Sequence, residues 1–139
     1  MKKVSLFILI SFFAFSCSKE NDNEEPEQNE LLGKWFYVSE KYDEEEIVST
    51  DCDTQQYFEF FSNGSISIKF VDTRPCDFSI LIGDYNVSGS TLEITGLQGS
   101  DDRNYSFDIV NFSNSSLIFE DEIMDEGEIS TYRLQLVKE

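Results

Sequence analysis

Gln55-Gln56-Tyr57-Phe58-Glu59-Phe60-Phe61-Ser62-Asn63-Gly64-Ser65-Ile66-Ser67-Ile68-Lys69-Phe70-Val71 holds two runs of period two on either side of a three-residue turn. Side chains of a β-strand point alternately to opposite faces, so Phe58 and Phe60 share one face with Ile66, Ile68 and Phe70, while Glu59 and Lys69 share the other. Asn63-Gly64 supplies the residues that accept positive φ, which a tight hairpin requires. The stretch therefore reads as an antiparallel hairpin with one wet face and one apolar face.

The same pattern runs outward in both directions. Strands are expected at 34–40, 55–61, 65–71, 79–87 with a break at Gly83, 91–95, 104–111, 117–123 and 129–137. Turn residues recur every eight to twelve positions: Ser88-Gly89-Ser90, Ser113-Asn114-Ser115-Ser116 and Asp125-Glu126-Gly127. One face stays bulky throughout, adding Trp35, Tyr37, Leu92, Ile94, Tyr105, Phe107, Ile109, Leu117, Phe119, Tyr132, Leu134 and Leu136. Glu93, Asp108, Glu120, Arg133 and Gln135 fall on the wet face. The long link 41–54 has the composition of one helical turn before Cys52. Eight strands joined mainly by hairpins remove their exposed edges by closing on themselves, which makes an up-and-down barrel over 31–139 the expected fold. A two-sheet sandwich with Greek-key crossovers is the alternative that the same pattern allows.

Ahead of the strands, Lys2-Lys3 precede twelve uncharged residues, 4–15. A membrane span needs about 20, so this is the apolar region of a secretory signal. Ala14-Phe15-Ser16-Cys17 resembles the lipobox of bacterial lipoproteins, which implies removal of residues 1–16 and acylation of Cys17; Ala-X-Ser also suits an ordinary signal peptidase. Residues 18–30 contain no apolar side chain except Pro26 and read as an acidic, disordered tether. Their start, Cys17-Ser18-Lys19-Glu20, resembles the tag that sends some lipoproteins to the outer face of the outer membrane. Cell-surface display is the localisation implied, with the periplasmic face of that membrane as the alternative.

The formal charge is -18, with no histidine and three cysteines. Loss of Lys2 and Lys3 makes it -20, of which the tether, with one lysine against six acids, holds -5, leaving -15 on the fold. Nucleic acid and anionic lipid surfaces are poor partners for such a domain. Without histidine there is no Ser-His or Cys-His nucleophile and no His-containing metal site, so neither an enzyme, a cofactor nor a metal site is expected. Asp51-X-Asp53, Asp101-Asp102 and 120–126 are acidic but lack the spacing of a calcium loop. With Cys17 lipidated, Cys52 and Cys76 remain as an even pair in an oxidising compartment, where a disulfide is expected. Asn-X-Ser sequons at Asn63, Asn86, Asn104, Asn111 and Asn114 read as turn residues behind a bacterial lipobox.

Leu31-Leu32-Gly33-Lys34-Trp35 opens the first strand, and Gly33-X-Trp35 there is similar to the first signature of lipocalins and bacterial lipocalin-like lipoproteins. The likeness continues through Phe58-Glu59-Phe60, Asn63-Gly64, Gly83-Asp84-Tyr85 and Thr91-Leu92-Glu93-Ile94. It implies that Gly33 and Trp35 close the barrel floor, that Arg133 packs over the Trp35 ring, and that a small molecule binds inside. An eight-stranded barrel can equally be filled by its own side chains. If space exists, Tyr37, Phe58, Phe60, Tyr85, Tyr105 and Phe107 are expected to line it. The acidic loops 43–53 and 125–127 would then favour a neutral or cationic guest with an apolar body over an anionic one. A filled barrel would instead act through its exterior, as a surface module contacting other proteins or the envelope.

Overall fold

The computed structural model describes residues 26–43, 45–73, 76–99, 104–125 and 127–139. The signal and lipidation readings at 1–25, Cys17 among them, and Asp101, Asp102 and Glu126 lie outside these residues. Among the described residues nine strands occur in chain order: β1 Gly33–Tyr42, β2 Glu45–Ile47, β3 Tyr57–Phe60, β4 Ser65–Thr73, β5 Asp77–Ser88, β6 Thr91–Thr95, β7 Tyr105–Phe112, β8 Ser116–Asp125 and β9 Glu128–Lys138. From β3 onward each pairs antiparallel with the next, β1 pairs with β3, and β9 returns to pair with β1. The result is a closed eight-stranded antiparallel barrel with β2 added along the far half of β1, and the sandwich alternative falls away.

The link 41–54 departs from the expected helical turn. Asp43 adopts φ 54° and turns the chain back so that β2 pairs with the end of β1, Glu40 opposite Ile47. The helical turn comes later and is 3-10, at Asp53–Gln55, where the Asp53 carboxylate accepts from the Thr50 amide and hydroxyl. Alternation in a three-residue strand is too short to register as a pattern.

β5 is not broken at Gly83. Glycine is required there by close approach, since a Cβ would lie 2.5 Å from the Thr95 carbonyl oxygen and 3.0 Å from Leu97. The chain leaving β6 folds back across this gap, held by the Gln98 amide donating to the Ile82 carbonyl at 2.9 Å. Leu97 thereby enters the barrel interior as a buried residue.

The hairpins β3–β4, β5–β6 and β7–β8 gather at one end with Trp35, and this end is filled. Trp35, Leu31, Phe60, Ile66, Leu92, Leu117 and Leu136 are almost wholly excluded from solvent, each contributing roughly 1.5–3 kcal/mol of apolar burial. The Trp35 indole donates to the Leu31 carbonyl at 2.7 Å, satisfying the only polar atom of that side chain. Gly33, at φ 109°, turns the entering chain beneath the floor.

Two expectations for this end change. Arg133 is not on Trp35: it lies on the outer face beside Lys41 and pairs with Glu120 across the β8–β9 ladder. Lys138 takes the place over the indole, its Nζ 5.1 Å from the ring centroid and donating to the Glu30 carbonyl at 3.3 Å. Register decides this, because Lys138 stands opposite Trp35 and Arg133 five residues earlier. The tether also ends before residue 30. The Glu30 amide donates to the Glu27 carbonyl at 2.9 Å, and the Gln28 side chain reaches Gly64 and Tyr85. Hydrogen bonds to the barrel, together with burial of Pro26, order this otherwise polar segment.

Candidate functional site

A layer of three rings crosses the barrel above the filled end: Phe119 lies 6.0 Å from Phe58 and 5.7 Å from Phe107, centroid to centroid. Above this layer the interior is hollow. A cavity of about 350 Å³ is bounded by Phe58 of β3, Ile68 and Phe70 of β4, Leu81 of β5, Ile94 of β6, and Tyr105 and Phe107 of β7. Leu97 and Gly99 complete it from the chain that folds back over Gly83. The volume is at the lower end of the roughly 300–1,000 Å³ typical of small-molecule sites. The question of filled or hollow is thus answered differently at the two ends of one barrel.

A second lobe of about 150 Å³ shares Phe58, Ile68 and Phe70 with the first and continues to Tyr37, Glu40, Gln56, Tyr132 and Leu134. Its polarity arises from a bulge in β1. The β1–β9 register shifts between Tyr37 and Ser39, so Val38 is extra and the alternation resumes with Glu40 opposite buried Leu134. Glu40 therefore points into the barrel, where strict alternation from Trp35 would have turned it out. Its Oε2 accepts from the Tyr132 hydroxyl at 2.7 Å.

The sequence-nominated residues divide by depth. Phe58, Tyr105 and Phe107 bound the larger cavity, and Tyr37 and Phe58 the smaller lobe. Phe60 and Tyr85 do not line either: they pack edge to face at 4.9 Å in the filled end, with the Tyr85 hydroxyl donating to the Phe61 carbonyl at 3.2 Å. Phe60 is the last residue of β3 and Tyr85 lies three residues before the end of β5, each close to a floor hairpin, a depth that hairpin position could have supplied. Ile68, Phe70, Ile94 and Leu134 line the lobes from the bulky face without having been nominated, and Glu40, Tyr132, Leu81 and Leu97 line them too. Tyr132, like the first four, carried the signal of inward alternation, whereas Glu40, Leu81 and Leu97 did not.

Cys52 and Cys76 are joined by a disulfide, with Cα atoms 5.5 Å apart. The bond ties the β2–β3 link to the β4–β5 link at the open end, as the even cysteine pair implied. Among the described residues no group of acidic or cysteine side chains is placed to hold a metal ion.

A model of the lipocalin-like domain matches residues 31–119. The chain belongs to the lipocalin-like domain family. Among solved structures this lipocalin-like barrel is similar to a lipocalin-like protein from Bacteroides uniformis, at 20% identity and TM-score 0.54, covering 79% of this chain and 99% of that one. An uncharacterized protein from Bacteroides eggerthii is similar at 13% identity and TM-score 0.56, covering 78% and 99%. The bovine lipocalin allergen Bos d 2 is similar at 17% and 0.51, covering 82% and 76%. No curated protein is significantly similar in sequence.

The phenols of this lipocalin-like barrel respond to their burial. Tyr37 is pushed up to about 12 by burial first and then by the Glu40 and Asp53 carboxylates. Tyr132 is raised by burial, then by its hydrogen bond to Glu40, and Tyr85 by burial. The neutral phenols are favoured in the fold, whereas the unfolded chain ionises near pH 10, so the unfolded state holds fewer protons above that pH. Barrel stability should therefore be unaffected below about pH 10 and fall as pH rises toward about 12. Urea midpoints across this range, with tyrosinate absorbance followed in parallel, check it; an unchanged midpoint contradicts the burial of these phenols.

Proposed function

We propose that the protein is a lipid-anchored carrier or receptor that holds a small apolar-bodied molecule in the open half of its barrel. The observation that supports this best is the apolar cavity above the Phe58, Phe107 and Phe119 layer. Its walls are hydrocarbon and aromatic edges, which bind a guest through surface removed from water, while the filled end lends rigidity. No catalytic role is proposed. The anchor is the lipid on Cys17, placing the domain on the outer membrane at the cell surface; the lipobox resemblance and the tether are its support.

Both halves of the proposal are testable. A neutral fluorescent probe should bind saturably, and Ile68→Trp, which fills the junction of the two lobes, should weaken it by at least about tenfold. Cys17→Ala should release the protein from the membrane fraction, because acyl chains contribute about 0.8 kcal/mol per buried methylene; equal partitioning of mutant and wild type removes the anchor. A second reading rests on Ile80 and Ile82, which stand 56% and 52% exposed on the outer face of β5. Failure of every probe to saturate would favour that exterior as a contact surface for other proteins of the envelope.

A further inference from the structure

The smaller lobe is oddly furnished for an apolar carrier, with a carboxylate directed into it. From this, and resting on the cavity reading above, we infer that the ligand is an amphipathic amine: Glu40 receives its ammonium group at the mouth while its apolar body fills the deeper cavity.

The bulge at Val38 places Glu40 on the inner face, opposite buried Leu134, and on the wall of the lobe. Tyr132 occupies one carboxylate oxygen as a donor. Among the described residues no cation pairs with Glu40. Arg133 is held by Glu120 and Lys34 by Glu59, both on the outer face. Lys69 borders the lobe, but its ammonium lies over the Phe78 ring, 3.9 Å from the centroid. Gln56 is committed elsewhere, its Oε1 accepting from the Val71 amide and its Nε2 donating to Asp53. A carboxylate beside hydrocarbon walls is costly until a cation meets it, so a bound ammonium gains an attraction that an alcohol cannot.

The neighbouring groups point the same way. Tyr37, Tyr132 and Phe58 border the lobe, and aromatic faces attract cations. Glu40, Asp53 and Glu46 all act electrostatically on Tyr37, and Asp121 stands opposite Tyr132 on β8, so these four acids outnumber Lys69 around the lobe. A carboxylate guest would meet repulsion from each. Phe58, Ile68 and Phe70 bound both lobes, so the apolar cavity adjoins the lobe that Glu40 lines.

The test uses three probes with one body: phenylbutylamine, phenylbutanol and phenylbutanoate. They are titrated calorimetrically into the full chain in zwitterionic nanodiscs, with empty nanodiscs as blank. The amine should bind roughly tenfold more tightly than the alcohol, the yield of one charge-assisted hydrogen bond, and the carboxylate should bind weakest. Glu40→Gln should bring the amine to within about threefold of the alcohol by weakening the amine more than the alcohol. An amine that binds no more tightly than the alcohol to the wild type overturns the inference while leaving the cavity reading intact. Equal weakening of both probes by Glu40→Gln overturns it too, making Glu40 only an acceptor for Tyr132. Binding of none of the three overturns the inference together with the cavity reading. If Glu40→Gln does not fold, the wild-type ratio of amine to alcohol decides alone.

Discussion

Replacing Cys52 and Cys76 together by serine is expected to lower the unfolding free energy by about 3 kcal/mol, the chain-entropy value for a loop of this size. The bond spans 24 positions in sequence and joins the β2–β3 link to the β4–β5 link at the open end. For a domain of this length each kcal/mol moves the melting temperature by roughly 4–8 °C, so a fall of about 12–24 °C should be seen by calorimetry. The consequence reaches the site. Cys52 directly precedes the 3-10 turn at Asp53–Gln55, and Gln56 after it borders the smaller lobe and caps the Val71 amide. Probe binding should therefore weaken even at temperatures where the variant stays folded. A loss below about 1 kcal/mol would show that these links are held in place without the bond.

The second large effect is expected at the floor. Trp35→Ala removes a fully buried indole, and large-to-small changes of this kind cost about 3–5 kcal/mol. Three further contacts go with the ring: the hydrogen bond to the Leu31 carbonyl, the tilted packing on Phe112 at 6.1 Å, and the Lys138 ammonium above it. Because the floor and the cavity lie at opposite ends, the loss should appear as a lower urea midpoint with little change in probe affinity of the folded fraction. Lys138→Met keeps the apolar stem and discards the charge; its effect should stay within about 1 kcal/mol, the usual range for exposed cations on rings. If Trp35→Ala costs no more than Lys138→Met, Trp35 is not the keystone of the floor.

Much of the barrel was legible because period two is a local signal. Phe58-Glu59-Phe60 and Ile66-Ser67-Ile68 state their faces within a few residues, and Asn63-Gly64 states where the chain must reverse; the structure sets Gly64 at φ 83° there. All eight barrel strands were found within two residues of their ends. β2 was missed because three exposed residues, Glu45–Ile47, carry no face, and its pairing is imposed by the turn at Asp43. Gly83 was misread as a break since glycine in a strand signals either a kink or close approach, and only the returning chain at Leu97 distinguishes them.

The site was less legible, for a geometrical reason. Alternation tells in from out but not how deep a residue lies, so Phe60 and Tyr85 were grouped with Phe58 and Phe107 although they occupy the filled end. The bulge at Val38 then reverses the parity of everything after it on β1, carrying Glu40 inside. A bulge adds one residue to one strand, and it becomes visible only against its partner. By itself the order of residues determined eight strands, their faces, their hairpins and the cysteine pair, all of which depend on neighbours in the chain or on counting. Tertiary structure decided that Lys138 rather than Arg133 covers Trp35, that a cavity opens above the ring layer, and that a carboxylate lines its smaller lobe. Those outcomes depend on register between strands distant in sequence, set by the closure of β9 onto β1.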